Sequence, residues 1–315
     1  MKKYANKLKK LFKNGFFFFL VSIFLFSCAT KNIIITRSID FIEMVWVPGG
    51  TFELGKELGR HPDGDVTPIS TVMLKGFYIS IYPVTQEQYL SVMGNNPSFF
   101  TIANGRLPAT GENDNRRPVE NISWYDTIVF CNLLSMKEGL IPAYSILDNS
   151  DPIAWGTVPI NRNPDWDAVM IVDGSNGYRL PTEAQWEYAA KGGDGSPGNF
   201  TFSGSNIHSD VAWYHGNSEG KTHEVGLKAP NNLGIYDMIG NVSEWCWDWR
   251  RGYTSDPKID PLGGEFNVNL SRVFRGGSWN SDSKNIRSVS RNAFIIWDDD
   301  TEEKGNTVGF RIVRP

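Results

Sequence analysis

The sequence predicts an irregular, loop-rich α+β domain, on three observations. Its 31 glycines and 17 prolines, with many asparagines and aromatics, are spread evenly along the chain, so turns are frequent and long elements are interrupted. Short strand-like alternations lie near both ends, and between them three short helical stretches each open on a capping box. From Phe41 to Pro315 there is no internal repeat, low-complexity linker or charge block. That length suits one large domain or two small ones, and the even composition favours one with a large core.

The first 27 residues read as an address. Residues 1–15 hold six lysines and no acid, residues 16–26 are apolar except for Ser22, and Leu25-Phe26-Ser27-Cys28 closes the run. This is a secretory signal with a lipobox-like end, and its apolar run is too short for a comfortable membrane span. The expectation is cleavage before Cys28, lipidation at Cys28, and residues 28–40 as a polar tether in a bacterial envelope lipoprotein. An uncleaved anchor is the alternative. Loss of residues 1–27 removes six of the 31 basic residues and no acid, leaving 25 against 35 acidic residues, a formal charge of −10. Such acidity argues against nucleic acid and anionic headgroups as partners, so membrane attachment falls to the acyl chains.

Residues 41–315 form the domain. Residues 44–54 (MVWVPGGTFEL) alternate around Pro48-Gly49-Gly50, as in a hairpin, and residues 77–84 (FYISIYPV) read as a strand ending at Pro83. Thr85 with Gln88 opens the helix QEQYLSVM, which Gly94 and Pro97 close. Ser123 with Asp126 opens WYDTIVFCNLLSMKE, with Ile128, Val129 and Leu133 on one face and Gly139 at its end. Thr182 with Gln185 opens EAQWEYAAK, with Trp186, Ala189 and Ala190 on one face. Residues 146–176 are rich in Asn, Asp and Pro and read as a surface excursion.

His208, His215 and His223 are spaced by seven and eight residues. A three-histidine iron site is one reading and backbone-bonded loop histidines the other; the spacings fit no zinc or iron motif. Cys131 and Cys246 lie in apolar or aromatic runs, which favours two buried free thiols over a disulfide. No GxSxG elbow, HExxH or phosphate-binding GxxxxGK[ST] occurs.

Residues 231–249 (NNLGIYDMIGNVSEWCWDW) organise the rest. Gly234 and Gly240 bracket an apolar run, and Trp245, Trp247 and Trp249 recur at period two, as on one face of a strand. Asp237 and Glu244 flank the turn at Gly240, an oxygen-rich arrangement that suits a hard cation. The other reading is that Asp237 caps a turn and Glu244 pairs with a buried arginine.

The wording of these stretches carries more. GIYDMIGNVSEW, MVWVPGGTFELG, RPVENISWYD, YRLPTEAQWEYAA, RVFRGGSW and VGFRIV resemble the motifs of the formylglycine-generating (sulfatase-modifying factor) family, whose fold is a variant of the C-type lectin fold. The resemblance spans about residues 44–315. It implies calcium bound by the side chains of Asp237 and Glu244 and the carbonyls of Gly240 and Val242; Ser243 stands where the family usually has Trp. In the family's true enzymes, two cysteines after the GGS turn bind Cu(I), activate O₂ and hold the substrate cysteine. The matching positions here are Ser281 and Ile286, which offer no thiolate, so no copper is expected. Ser278 of the GGS turn is retained.

Residues 280–307 mix Ser, Asn, Arg, Asp and aromatics, as adaptable recognition surfaces do. The expected ligand face comprises Trp279, Asn280, Ser281, Asp282, Ser283, Asn285, Arg287, Arg291, Phe294 and Trp297. The alternative has Arg287 and Arg291 paired with core carboxylates. In lectin-like folds this end of the chain commonly forms the ligand face, and some relatives diversify it by retroelements. The function expected is binding of a protein or small ligand by a lipid-anchored envelope protein with Ca²⁺ as its ion. The rivals are a formylglycine-generating or related oxidase, and a structural lipoprotein subunit of an envelope complex.

Overall fold

The computed structural model describes residues 42–56, 66–193, 200–263, 271–295 and 305–315, without the side chains of 293–295. The expected signal and tether, Cys28, Trp297 and the side chain of Phe294 lie outside these. Asp40–Pro315 forms one compact unit.

Four short strands open it: β1 (Met44–Val47), β2 (Gly50–Leu54), β3 (Ser70–Leu74) and β4 (Phe77–Ser80). The expected β1–β2 hairpin does not form. β1 pairs with β4 and β2 with β3, so Pro48-Gly49 carries the chain from one sheet to another. Gly49 is needed there, because a Cβ would come within 2.6 Å of the Leu74 carbonyl oxygen.

Three helices follow from their caps. α1 (Gln86–Met93), α2 (Trp124–Lys137) and α3 (Glu183–Ala190) each carry the reciprocal capping box read from Thr85/Gln88, Ser123/Asp126 and Thr182/Gln185. α2 differs from the one-face expectation. Phe130, Cys131 and Leu134 are fully buried beside Ile128, while Leu133 is half-buried. The helix is clasped by the excursion as well as by the sheets, so nearly all its sides meet core. The excursion is likewise more than surface. Its strand β6 (Met170–Ile171) pairs antiparallel with β5 (Tyr144–Ser145), which immediately precedes the excursion, and Trp166 and Val169 enter the core that surrounds α2. The polar composition of the segment conceals these few apolar anchors.

β7 (Ser243–Trp249) is the centre of the largest sheet. It pairs antiparallel with β9 (Ser271–Arg275), which pairs with β10 (Arg291–Ile295), and parallel with β11 (Val308–Gly309). β8 (Lys258–Ile259) joins β3, and β12 (Val313–Arg314) joins β4. The expected single closing strand at 308–313 is therefore two strands in two sheets, with Phe310, Arg311 and Ile312 buried between them. Tryptophans of β7 and α2 enclose a cation: the Arg272 guanidinium lies 3.6 Å from the ring centres of both Trp124 and Trp249 and 5.2 Å from that of Trp247. Burial lowers its pKa to about 9, and stacking on two indole faces offsets part of that desolvation.

Candidate functional site

The turn before β7 is built on left-handed backbone. Asp237, Gly240 and Asn241 have φ of 50°, 73° and 60°. Gly240 is required because a Cβ would collide with the Trp213 carbonyl. Asn241 stitches the turn to a neighbouring loop, accepting from the His223 N–H at 3.0 Å and donating to the His223 carbonyl at 3.0 Å. The two carboxylates expected to hold calcium meet different fates. Asp237 Oδ2 accepts from the Gly226 N–H at 2.7 Å, while Oδ1 is buried with no partner. Burial pushes this carboxyl up to about 6. Glu244 is occupied: Oε2 accepts from Trp186 Nε1 at 2.6 Å and Arg311 Nε at 2.7 Å, and Oε1 from Arg311 Nη2 at 2.8 Å. The buried-arginine reading thus describes its contacts. A cation fits the orphaned oxygen of Asp237, whereas at Glu244 it would share a carboxylate with Arg311. Among the described residues, no three His, Cys, Asp or Glu side chains converge as a metal-holding group.

The histidines do not assemble into an iron site. His223 bridges Glu112 Oε1 and the Ser218 carbonyl, each at 2.8 Å, and stacks on Trp213. His208 packs edge-on to Phe202 and Tyr214, and His215 faces a cleft. Cys131 and Cys246 are both free and buried, and burial raises both thiol pKa values.

The GGS turn brings the two inferred copper positions together. A Cβ on Gly277 would meet Ile286 Cγ2 at 2.8 Å and Ser281 Oγ at 3.2 Å, so both side chains converge over one glycine. Ser281 Oγ accepts from the Ser278 N–H at 2.9 Å, and Ile286 is fully buried. The two positions are filled by a hydroxyl and a hydrocarbon.

Beside it opens a cleft of about 330 Å³ lined by Tyr214, His215, Gly216, Asp282, Ser283 and Lys284. Asn280, Asp282, Lys284 and Asn285 are exposed, and Trp279, Ser281 and Ser283 half-buried. The contribution of Tyr214 and His215 has no local signal in the sequence; the link is a long-range bond from the His215 N–H to the Ser281 carbonyl at 3.1 Å. Arg287 and Arg291 are buried. Arg287 Nε donates to the Lys284 carbonyl at 2.8 Å, and Arg291 forks onto Glu183 at 2.6 and 2.8 Å. Burial opposes the charge of Glu183, yet Arg291 and Arg275 outweigh it and hold the carboxyl at about 2. A second cleft, of about 230 Å³, is floored by Asp248, Tyr253 and Arg291. Burial and then the Glu183 charge push Asp248 up to about 7.

Known proteins place this arrangement. Residues 35–315 match the family described as Sulfatase-modifying factor enzyme 1-like domain. "Chaperone protein LppX" of Paenibacillus barcinonensis is 40% identical over 290 residues, covering 86% of this chain and 89% of that protein. A "Formylglycine-generating enzyme" of Thermomonospora curvata is 30% identical over 275 residues, covering 75% and 82%. Among solved structures, "Treponema denticola variable protein 1" superposes with a TM-score of 0.73 at 37% identity, covering 86% of this chain and 95% of that one. PvdO from Pseudomonas aeruginosa superposes at 0.60 with 26% identity, over 87% and 95%. The chain belongs to the sulfatase-modifying factor enzyme 1-like family, on its irregular α+β fold.

Proposed function

We propose that the protein is a lipid-anchored envelope protein that binds a partner protein through the face formed by residues 279–285 and the cleft at Tyr214 and His215, without copper oxidase activity. One observation carries this reading: Ser281 and Ile286 converge over Gly277 with no thiol between them. Cu(I) needs soft ligands, and neither side chain supplies one. The name of the Paenibacillus relative, a chaperone, supports a protein as the ligand. Exposed Asn280, Asp282, Lys284 and Asn285 offer adaptable polar contacts at the cleft's edge. The oxidase and the structural subunit are the rival readings. The test is affinity capture from membranes with Asp282→Ala/Lys284→Ala as comparison. Loss of a captured partner at unchanged melting temperature supports the reading. Turnover of a sulfatase-motif cysteine peptide above the no-protein control refutes it, and a stoichiometric envelope complex insensitive to both substitutions favours the structural rival.

Calcium belongs to the same proposal. Asp237 and the carbonyls of Gly240 and Val242 would hold it, with Glu244 as the shared carboxylate. The ion would cross-link the turn before β7, and its support is the buried, unpartnered Oδ1 of Asp237.

A further inference from the structure

The outer faces of the two small sheets meet along one aromatic and basic ridge. On one sheet Trp46, Tyr78 and Arg314 are in register across β1, β4 and β12. Trp46 is 47% exposed, its ring centre lies 5.0 Å from that of Tyr78, and the Arg314 guanidinium lies 5.2 Å from Tyr78. On the other sheet Thr51, Met73 and Ile259 form a second exposed row across β2, β3 and β8, with Ile259 at 70%. The turn Lys75-Gly76 joins the rows. The Trp46 indole lies directly on Gly76, where any Cβ would collide with it. Lys75 is anchored at its N–H to Asp260 Oδ1 at 2.6 Å, and its side chain, 88% exposed, pairs loosely with Asp260 Oδ2 at 3.5 Å.

Two exposed aromatics, two exposed aliphatic side chains and flanking Lys75 and Arg314 are the composition that favours a membrane–water interface. Burying Trp46, Met73 and Ile259 nowhere in the domain costs hydrophobic stabilisation, and resting Trp46 on Gly76 fixes its direction. The stretch of chain before β1 bears on what covers the ridge. Ile42, the first described residue, leads directly into β1, the strand that carries Trp46, and Cys28 lies fourteen positions earlier. A random coil of that length would have a root-mean-square span of about 20 Å. We propose that this ridge is the face on which the domain rests against the lipid bilayer. The proposal rests on the lipid anchor at Cys28. The acyl chains supply the attachment and the ridge supplies orientation: at the millimolar effective concentration a short tether imposes, a weak surface suffices. The net acidity of the mature chain does not oppose this, since interfacial aromatics require no anionic lipid.

The experiment uses full-length protein lipidated in cells and reconstituted into phosphatidylethanolamine–phosphatidylglycerol vesicles. Cys131 and Cys246 are buried, so Met73→Cys supplies the reactive thiol, and Asn285→Cys serves as the control on the cleft face. Flotation reads the anchor, and labelling by a membrane-impermeant maleimide reads the ridge. On floated vesicles, Met73→Cys should react at least tenfold more slowly than in the unlipidated Cys28→Ser chain, whereas Asn285→Cys should react equally in both. Adding Trp46→Ser and Tyr78→Ser should restore fast labelling at Met73→Cys. Equal rates for Met73→Cys on floated vesicles and in the unlipidated chain overturn the proposal while leaving the anchor intact. Concentration-dependent protection in the unlipidated chain overturns it in favour of a second copy of the protein. A chain that does not float overturns the anchor reading itself.

Discussion

Arg311 holds both oxygens of Glu244, from Nε at 2.7 Å and Nη2 at 2.8 Å, with both side chains fully buried. The same guanidinium donates to the carbonyls of Ser80 and Tyr236 at 2.9 Å each. One arginine thus ties β4, the turn at Tyr236 and β7 to the chain between β11 and β12. Truncating one partner of a buried pair strands the other charge. Arg311→Ala should therefore lower unfolding stability by about 3–5 kcal/mol, read by denaturant titration. Arg311→Lys should recover only part of it, because one ammonium cannot reproduce the fork. A loss below about 1 kcal/mol would show that the pair is solvated.

Calcium should stabilise the domain through the orphaned oxygen of Asp237. At a hundredfold its Kd, a ligand specific to the folded state adds about 2.7 kcal/mol. The melting temperature should fall on chelation, and Asp237→Ala should erase that response. Melting that ignores chelator, with no calcium in metal analysis, would show that the turn holds its shape without the ion.

The convergence of Ser281 and Ile286 makes a gain-of-function test possible. The wild-type domain should bind no stoichiometric Cu(I), and Ser281→Cys alone should not change that. Ser281→Cys with Ile286→Cys should create a two-sulfur site over Gly277 that binds one copper, measured by competition with a chromogenic chelator. Replacing buried Ile286 should cost about 1–3 kcal/mol. Tight copper binding by the wild type would put the oxidase reading ahead of the binding one.

Glu120 gives a stability dependence on pH. Burial pushes its carboxyl from 4.5 up to about 7, against the N–H groups of Phe99 and Phe100 that it accepts from at 3.1 and 2.9 Å. The folded state therefore holds a proton that the unfolded state releases near pH 4.5. This contribution is complete below pH 4.5 and is lost as pH rises through 7, about 3 kcal/mol in all. Glu120→Gln should flatten the corresponding part of the stability profile between pH 4.5 and 8. An unchanged slope in the variant would place the titration elsewhere.

Local chemistry made much of the fold legible. Thr85/Gln88, Ser123/Asp126 and Thr182/Gln185 announce their helices because a capping box is complete within four residues. The period-two tryptophans announce β7 for the same reason. Which strand pairs with which is not local: Pro48-Gly49 looks like a hairpin until Leu74 and Gly76 occupy the space beneath it. At the candidate site, Asp237, Glu244, Ser281 and Ile286 were found through motif resemblance. A buried arginine against Glu244 is one of the readings the sequence offers, but that it is Arg311, and that Tyr214 and His215 join the cleft, depends on long-range contacts. For Arg291 the sequence offers both a place on the ligand face and a core carboxylate as partner, and the choice of Glu183 rests on a contact between residues 108 positions apart.

The loop after the GGS turn is fastened through its main chain. The carbonyls of Trp279, Ser281 and Ser288 accept from Ser218 Oγ, the His215 N–H and Arg275 Nη2, all groups outside the loop. None of these bonds uses the side chains of Asn280, Asp282, Lys284 or Asn285. The side chains at those four positions can therefore be exchanged while every one of these fastenings stays in place, so the shape of the loop and its chemical surface are set by separate atoms.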